Sequence, residues 1–191
     1  LDLPQTLENG NAVFGVHPGG QGNTHLSIAA DPTDANIVYI GGDRQPCFTE
    51  SNNCRRPGTP MFPNSLGANN FTGRLFRIDA SQPAGTQAAP LTHSNTTSNS
   101  SPHADSRDMD VASNGVLIEG DDGGTYRRTT PRLNSGDWFS MNGDIQTSEF
   151  HNAAWDAVGN IVISGAQDTG TPQQPSRANV TWQSVSTADG G

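Results

Sequence analysis

The segment from His103 to Asp108 holds the residue types best suited to chemistry in this sequence. If it is a β-strand, His103, Asp105 and Arg107 point to one face, because side chains alternate along a strand. A histidine and a carboxylate on one face can bind a metal ion or transfer protons. The alternative interpretation is a buried polar network in which these groups satisfy one another.

Polar residues elsewhere in the chain could complete this site. Asp43 and Arg44 follow an apolar strand and could line the same face. Gln167 and Asp168 follow a later apolar strand and could join from a neighbouring repeat. The candidate ligand-binding residues are therefore His103, Asp105, Arg107, Asp43, Arg44 and Gln167.

Two adjacent carboxylates, Asp121 and Asp122, precede a Gly-Gly pair. Carboxylate oxygens are ligands that Ca²⁺ prefers, so these residues are the candidate metal ligands and Ca²⁺ is the candidate cofactor; the same pair could instead bind a carbohydrate. The alternative is a tight turn in which one carboxylate accepts backbone N–H groups and glycine supplies a positive φ. An enzyme of the glycoside hydrolase type needs two carboxylates about 5–10 Å apart. Its catalytic candidates are Asp105, Asp122 and Asp168.

The two cysteines, Cys47 and Cys54, are separated by six residues in a turn-rich stretch. Metal sites prefer about two to four intervening residues and need further soft ligands. A small loop disulfide is therefore predicted, which implies an oxidising compartment. Free thiols are the alternative.

Three tryptophans, Trp138, Trp155 and Trp182, lie on predicted strands. They could stack on sugar rings. Tryptophan at strand positions of a repeat is more often part of the core between sheets, and we expect that role here.

The composition narrows the class of protein. Of 191 residues, 31% are hydrophobic and 15% charged, all ten basic residues are arginine, and the net charge is −9. This balance disfavours binding to nucleic acid or to anionic lipid. No apolar run of about 18 residues occurs, so we expect no membrane span. An acidic chain without lysine is typical of a secreted protein.

The chain repeats one pattern of elements. An alternating strand is followed by a turn with Asp or Asn, an apolar strand, and a Gly-Asp or Gln-Asp exit. The apolar strands begin at Ile37, Val116 and Ile161, the last two 45 residues apart. Repeats of roughly 40–50 residues with about four strands are typical of β-propeller blades. The predicted units are 24–81, 102–143 and 145–191, with a loop insertion at 44–72 and a linker at 80–101.

The segment from Gly120 to Arg127, followed by Trp138, resembles the Asp-box turn of BNR-repeat β-propellers. That group includes sialidase-like and xyloglucanase-like proteins and many secreted bacterial proteins. In one subgroup a His-Ala-Asp strand precedes a Gly-Asn-Asp-Gly-Gly turn, and a Gly-Gln-Asp-Asn-Gly turn follows one blade later. This chain keeps that order with 103–105, 120–124 and 165–170. Arg107 stands where the subgroup often has a second histidine, and no counterpart to the sialidase tyrosine nucleophile is found.

The resemblance implies an all-β fold of four-stranded antiparallel blades in an incomplete ring. Two units and part of a third cannot close a ring of about six or seven blades. We therefore expect a fragment, a split chain or half of an assembly, with blade edges completed by the missing blades or by a partner chain.

The expected function is recognition of glycan or another extracellular ligand by the loop face of the propeller. A glycoside hydrolase of the same superfamily is the first alternative. The second is a structural protein that pairs its open blade edges with another chain.

Overall fold

The structure is a computed structural model that describes residues 1–10, 12–47, 62–144 and 148–190. These residues form two compact units, Leu1–Gly143 and Asp144–Gly191. The strands of the first unit are β1 (Thr6–Glu8), β2 (Ala12–Phe14), β3 (Ser27–Ala30), β4 (Ile37–Arg44), β5 (Gly73–Asp79), β6 (Ala88–Pro90), β7 (Asp108–Val111), β8 (Leu117–Asp121), β9 (Gly124–Arg128) and β10 (Trp138–Ser140). Those of the second are β11 (Phe150–Asp156), β12 (Ile161–Ala166), β13 (Thr169–Gly170), β14 (Pro172–Gln173), β15 (Gln183–Ser184) and β16 (Ala188–Asp189).

The first sheet joins β3, β4, β5 and β6 in that order, each antiparallel to the next. The chain reverses after β3 because the Asp31 carboxylate accepts the backbone N–H groups of Thr33 and Asp34, at 3.0 and 3.1 Å. Short polar side chains commonly close turns in this way. The resulting register places Ile28 opposite Ile40.

The second sheet repeats this arrangement with β7, β8, β9 and β10. Gly115, in the turn between β7 and β8, has a φ of 78°, a conformation that glycine adopts at little cost. Between β8 and β9, Oδ1 of Asp121 accepts the N–H of Gly123 at 2.8 Å. This is the turn contact that the sequence predicts as the alternative to a metal site.

The two four-stranded sheets share one hydrophobic core. The indole N–H of Trp138 donates to the carbonyl of Leu91 at 2.8 Å, so this tryptophan is buried with its polar atom satisfied. The predicted core role of Trp138 is confirmed. The buried core residues are Ala29, Ile37, Tyr39, Leu75, Leu91, Met109, Leu117 and Trp138.

The second unit is built on the β11–β12 hairpin, which is antiparallel. The Asp156 carboxylate closes its turn by accepting the N–H groups of Val158 and Gly159, at 2.9 and 3.0 Å. Short strands β13, β14, β15 and β16 extend this sheet. All residues of β11 are exposed, and Trp155 is 68% exposed, so the predicted core role of Trp155 is wrong.

The prediction of an all-β fold with four-stranded antiparallel sheets is confirmed. Among the described residues the sheets are open, and none closes into a barrel. Within the same described ranges, no helix has the length and apolar character needed to span a bilayer.

One predicted linker is ordered structure. Residues 80–101 contain β6 and a short 3₁₀ helix, His93–Asn95. The polar run that follows is held by Asp137, whose Oδ1 accepts the N–H of Ser98 at 2.9 Å and the hydroxyl of Ser100 at 3.2 Å. Ser and Thr side chains that suggest a flexible linker in the sequence serve here as hydrogen-bond donors.

Candidate functional site

One edge of the first unit gathers residues from several strand ends. Ser27 at the start of β3 lies opposite Gly41 of β4, and Asp108 at the start of β7 lies opposite Gly120 of β8. Because these pairs are antiparallel, the segments that precede β3 and β7 lie beside the segments that follow β4 and β8. We call this region the loop edge, and it carries His25, Asp43, Arg44, His103, Asp105, Arg107, Asp121 and Asp122.

Hydrogen bonds join the two sheets at the loop edge. The N–H of Asp105 donates to the carbonyl of Asp43 at 3.1 Å, and the N–H of Ser106 donates to the carbonyl of Gly42 at 3.0 Å. The hydroxyls of Ser106 and Ser27 are also 2.6 Å apart and buried. These contacts hold Asp43 and Asp105 together although they are distant in sequence.

The segment before β7 is a bend and not the predicted strand. Asp105 has a φ of 72°, outside the strand conformation, and β7 begins only at Asp108. The expectation that His103, Asp105 and Arg107 share one strand face is therefore wrong. The physical reason is that the backbone here bonds to β4 of the first sheet instead of continuing the β7–β8 ladder.

The carboxylate of Asp105 lies among polar groups. Its Oδ1 is 4.0 Å from Nε2 of His25. One of its oxygens is within 4.8 Å of an oxygen of Asp122. Retaining glycosidases place their two carboxyl groups about 5–5.5 Å apart. The loop edge thus brings together two of the three predicted catalytic candidates.

Asp122 is held by a salt bridge. Nε and Nη2 of Arg107 lie 2.7 and 2.5 Å from Oδ1 of Asp122. The Asp122 side chain is only 4% exposed, whereas that of Arg107 reaches solvent. Arg107 therefore contributes to the loop edge by orienting Asp122 as well as by its own charge.

Asp43 and Arg44 have different surroundings, although they are adjacent. Asp43 is fully buried and accepts the N–H of Gln21 at 3.1 Å. The Arg44 guanidinium lies over the ring of Phe71, 4.6 Å from its centroid. Phe71 is 37% exposed and packs edge-on against Phe62. The loop edge thus includes an exposed aromatic ring, which sequence reasoning missed because Phe71 lies in a loop.

His103 covers the turn between β8 and β9. A Cβ atom built on Gly123 would approach the Cβ of His103 to 2.5 Å, so only glycine fits at this position. The adjacent Asp121 and Asp122, predicted as a pair of metal ligands, have separate partners: Asp121 bonds to the Gly123 N–H and Asp122 to Arg107.

A further carboxyl group, Glu119, lies directly below the loop edge. It is fully buried on β8, and burial followed by the neighbouring charge of Asp121 raises its pKa. Burial likewise raises the pKa of Asp121. Sequence reasoning missed Glu119, although the alternation of β8 was a usable signal. Residues two apart in a strand share a face, so Glu119 faces the same side as buried Leu117.

The candidates on the second unit lie around Asp189. Nε2 of Gln167 donates to Oδ1 of Asp189 at 3.0 Å, and the N–H of Asp168 donates to the same atom at 3.2 Å. Asp168 has a φ of 55°, typical of a tight turn. In this unit both residues therefore organise the segment between β12 and β13.

The predicted disulfide involves a residue outside the described ranges. Cys47 is buried just after β4, and Cys54 belongs to residues 48–61, which lie outside them. The pairing stays a prediction.

A scan of protein-family models and a search of curated protein sequences found no match to this chain.

Proposed function

We propose that this chain is a secreted β-propeller module of the Asp-box type that binds glycans through the loop edge. The observation that carries the proposal is the presence, on one edge of the first unit, of neighbouring carboxylates at Asp105 and Asp122 and an exposed aromatic ring at Phe71.

These groups match the chemistry of a sugar. Sugar hydroxyls donate hydrogen bonds to carboxylates, and the C–H face of a pyranose packs on an aromatic ring. The two parts of the edge are linked through adjacent residues, because the carbonyl of Asp43 accepts the Asp105 N–H and Arg44 lies over Phe71. The guanidinium of Arg44 adds donors for hydroxyl or carboxylate oxygens of a glycan.

Several features support the proposal that the chain is an Asp-box propeller module and that it is secreted. The turn after β8, whose sequence resembles the Asp box, joins two antiparallel strands and is closed by Asp121, as a propeller blade would require. The acidic, lysine-free composition and the predicted disulfide between Cys47 and Cys54 fit secretion. The remaining blades of the same protein, or a partner chain, would complete the propeller.

The experiment is a glycan array followed by calorimetric titration of the best glycan. Phe71→Ala is expected to weaken binding about two- to tenfold, because an aromatic contact contributes about 0.5–1.5 kcal/mol. Phe139→Ala is the matched control: Phe139 is also exposed and also lies beneath an arginine, Arg127, but on the outermost strand β10. Equal affinities of the wild type and Phe71→Ala would reject the proposed face.

Glycoside hydrolysis is a second candidate function, favoured by the separation of at most 4.8 Å between oxygens of Asp105 and Asp122. In this role Asp105 and Asp122 would supply the two carboxyl groups that glycoside hydrolysis needs, and Arg107 would orient Asp122. Incubating the bound glycan with the chain and measuring new reducing ends tests it. Release that is lost in Asp105→Asn supports an enzyme, whereas binding without release supports a binding module.

Assembly with another chain is a third candidate, favoured by β11. Its seven residues are all exposed, including Phe150 and Trp155, and an exposed strand edge invites pairing. Sedimentation of the wild type and of Trp155→Ser distinguishes this role. A self-associating chain that becomes monomeric in Trp155→Ser supports it.

A further inference from the structure

The exposed ring of Phe71 is carried by residues 64–72, a segment that we call the Phe71 loop. The loop leads into β5 and contains no strand or helix of its own. Its shape therefore depends on turns and on side-chain hydrogen bonds. The side chain of Asn64, the first residue of the loop, is 5% exposed and makes four of these bonds.

The amide of Asn64 uses its full hydrogen-bonding capacity. Its Oδ1 accepts the N–H groups of Leu66 and Ala68, each at 3.0 Å. Its Nδ2 donates to Oε1 of Gln45 at 3.0 Å and to the carbonyl of Pro46 at 3.2 Å. An amide side chain offers two donors and two acceptor sites, and all of them are occupied here. The oxygen therefore closes the loop on itself, and the NH2 group ties the loop to the segment that follows β4.

Gln45 holds the other end of the Phe71 loop. Its backbone N–H donates to the carbonyl of Thr72 at 2.8 Å, and its Nε2 donates to the carbonyl of Gly73 at 2.7 Å. Gln45 is fully buried, so water does not compete for these bonds. Both ends of the loop are thus attached to the residue that directly follows Arg44.

This double attachment fixes Arg44 and Phe71 relative to each other. The Arg44 guanidinium lies 4.6 Å from the centroid of the Phe71 ring, and the ring also packs edge-on against Phe62. A binding face that is ordered before the ligand arrives avoids the entropic cost of immobilising side chains and a loop on binding.

We infer that Asn64 is a positioning residue for the glycan-binding face formed by Arg44 and Phe71, an inference that rests on the proposed function. Asn64 is buried and acts on this face through Gln45 and the Phe71 loop. A residue that served stability alone would lower the free energy of unfolding without changing the order of the face or its affinity for a glycan.

The test is Asn64→Asp, with calorimetric titration of the array oligosaccharide that binds the wild type most tightly. Aspartate keeps the oxygen that accepts from Leu66 and Ala68, but it turns an acceptor towards Oε1 of Gln45 and the Pro46 carbonyl. We expect the affinity to fall about two- to tenfold, because the loop must then be ordered on binding. Asn64→Ala, which introduces no charge, is expected to weaken binding in the same range.

Hydrogen exchange of the unliganded chain, followed by mass spectrometry, is the second readout. We expect the amides of residues 64–72 to exchange about two- to tenfold faster in Asn64→Asp, the factor that corresponds to one lost hydrogen bond. This measurement reports the order of the loop whether or not a glycan has been found.

Two control variants separate positioning from general destabilisation. Asn114→Asp makes the same chemical change in an exposed turn, where Oδ1 accepts the N–H of Val116, and should leave affinity and exchange unchanged. Leu117→Ala destabilises the core at the end of β8 remote from the loop edge, and should leave both unchanged well below its Tm.

Equal affinities of the wild type and Asn64→Asp would overturn the inference. Unchanged exchange in residues 64–72, or an equal loss of affinity in Leu117→Ala, would overturn it as well. A wild type that binds no oligosaccharide would instead reject the proposed function, and with it this role of Asn64.

Discussion

Replacing Asp31 with Asn is expected to lower the free energy of unfolding of the first unit by about 1.5 kcal/mol at pH 7. Asp31 accepts the Tyr39 hydroxyl at 2.9 Å and Nε of Arg132 at 2.8 Å. It also closes the turn after β3 through two backbone N–H groups. Its side chain is only 2% exposed, so water replaces these partners poorly.

The size of the expected loss in unfolding free energy follows from the contacts of Asp31 that an asparagine side chain retains. Its carbonyl oxygen still accepts the backbone N–H groups of the turn, so the turn itself survives. The asparagine NH2 then takes the place of Oδ2, and the Tyr39 hydroxyl must turn to accept from it. The charge-assisted hydrogen bond thus becomes a neutral one, which weakens it by about 1 kcal/mol. The attraction of Arg132 is also lost, but its side chain is 44% exposed and solvent screens that contact, so it adds only a minor part.

The loss should depend on pH. The Arg132 guanidinium holds the pKa of the Asp31 carboxyl well below its usual range. A carboxyl group with a lowered folded pKa contributes its stability above the unfolded pKa of about 4 and loses it as the pH falls towards the folded pKa. The difference in the free energy of unfolding between the wild type and Asp31→Asn is therefore largest at pH 7 and decreases below about pH 4.

Urea unfolding at several pH values, followed by the fluorescence of buried Trp138, measures this difference. Asp34→Asn is the matched control, because Asp34 lies in the same turn of the first unit and accepts the N–H of Asn36 at 3.0 Å in an exposed contact. The control should lose less than about 0.5 kcal/mol. Equal losses in the two variants, or a loss at Asp31 that is the same at pH 7 and pH 3, would refute the reasoning.

Two further substitutions test the core and the loop edge. Leu117→Ala should lower the free energy of unfolding by about 3 kcal/mol, because Leu117 is fully buried between the sheets. Urea denaturation measures this loss. Val158→Ala, at an exposed position, should change the free energy of unfolding little. Gly123→Ala should destabilise the first unit by about 1–3 kcal/mol and weaken glycan binding, because its new Cβ would collide with His103. Gly120→Ala meets no atom within 4 Å and serves as its control in urea denaturation and glycan titration; similar effects of both would contradict the role given to His103.

Much of the fold could be predicted from local patterns. Gly73–Asp79 forms a strand, as its alternating sequence pattern predicts, since such a pattern depends only on near neighbours in the chain. The turn roles of Asp31, Asp121 and Asp156 follow for the same reason, because each carboxylate bonds to N–H groups two or three residues away.

The candidate site was predicted only in part. Asp105 and Asp122 do come together, although the predicted strand around Asp105 is a bend. Glu119 and Phe71 were missed. Their importance depends on what covers them, and residue type and spacing do not report burial or exposure directly.

By itself, the sequence determined the all-β class, the strands with clear alternation, and the turns closed by aspartate, because these depend on interactions within a few residues. Only the tertiary structure decided the bend at Asp105, whose N–H bonds to the carbonyl of Asp43, and the salt bridge between Asp31 and Arg132. Those partners are brought together when the two sheets pack against each other. These contacts therefore depend on the packing of the whole unit and cannot be predicted from a short stretch of sequence.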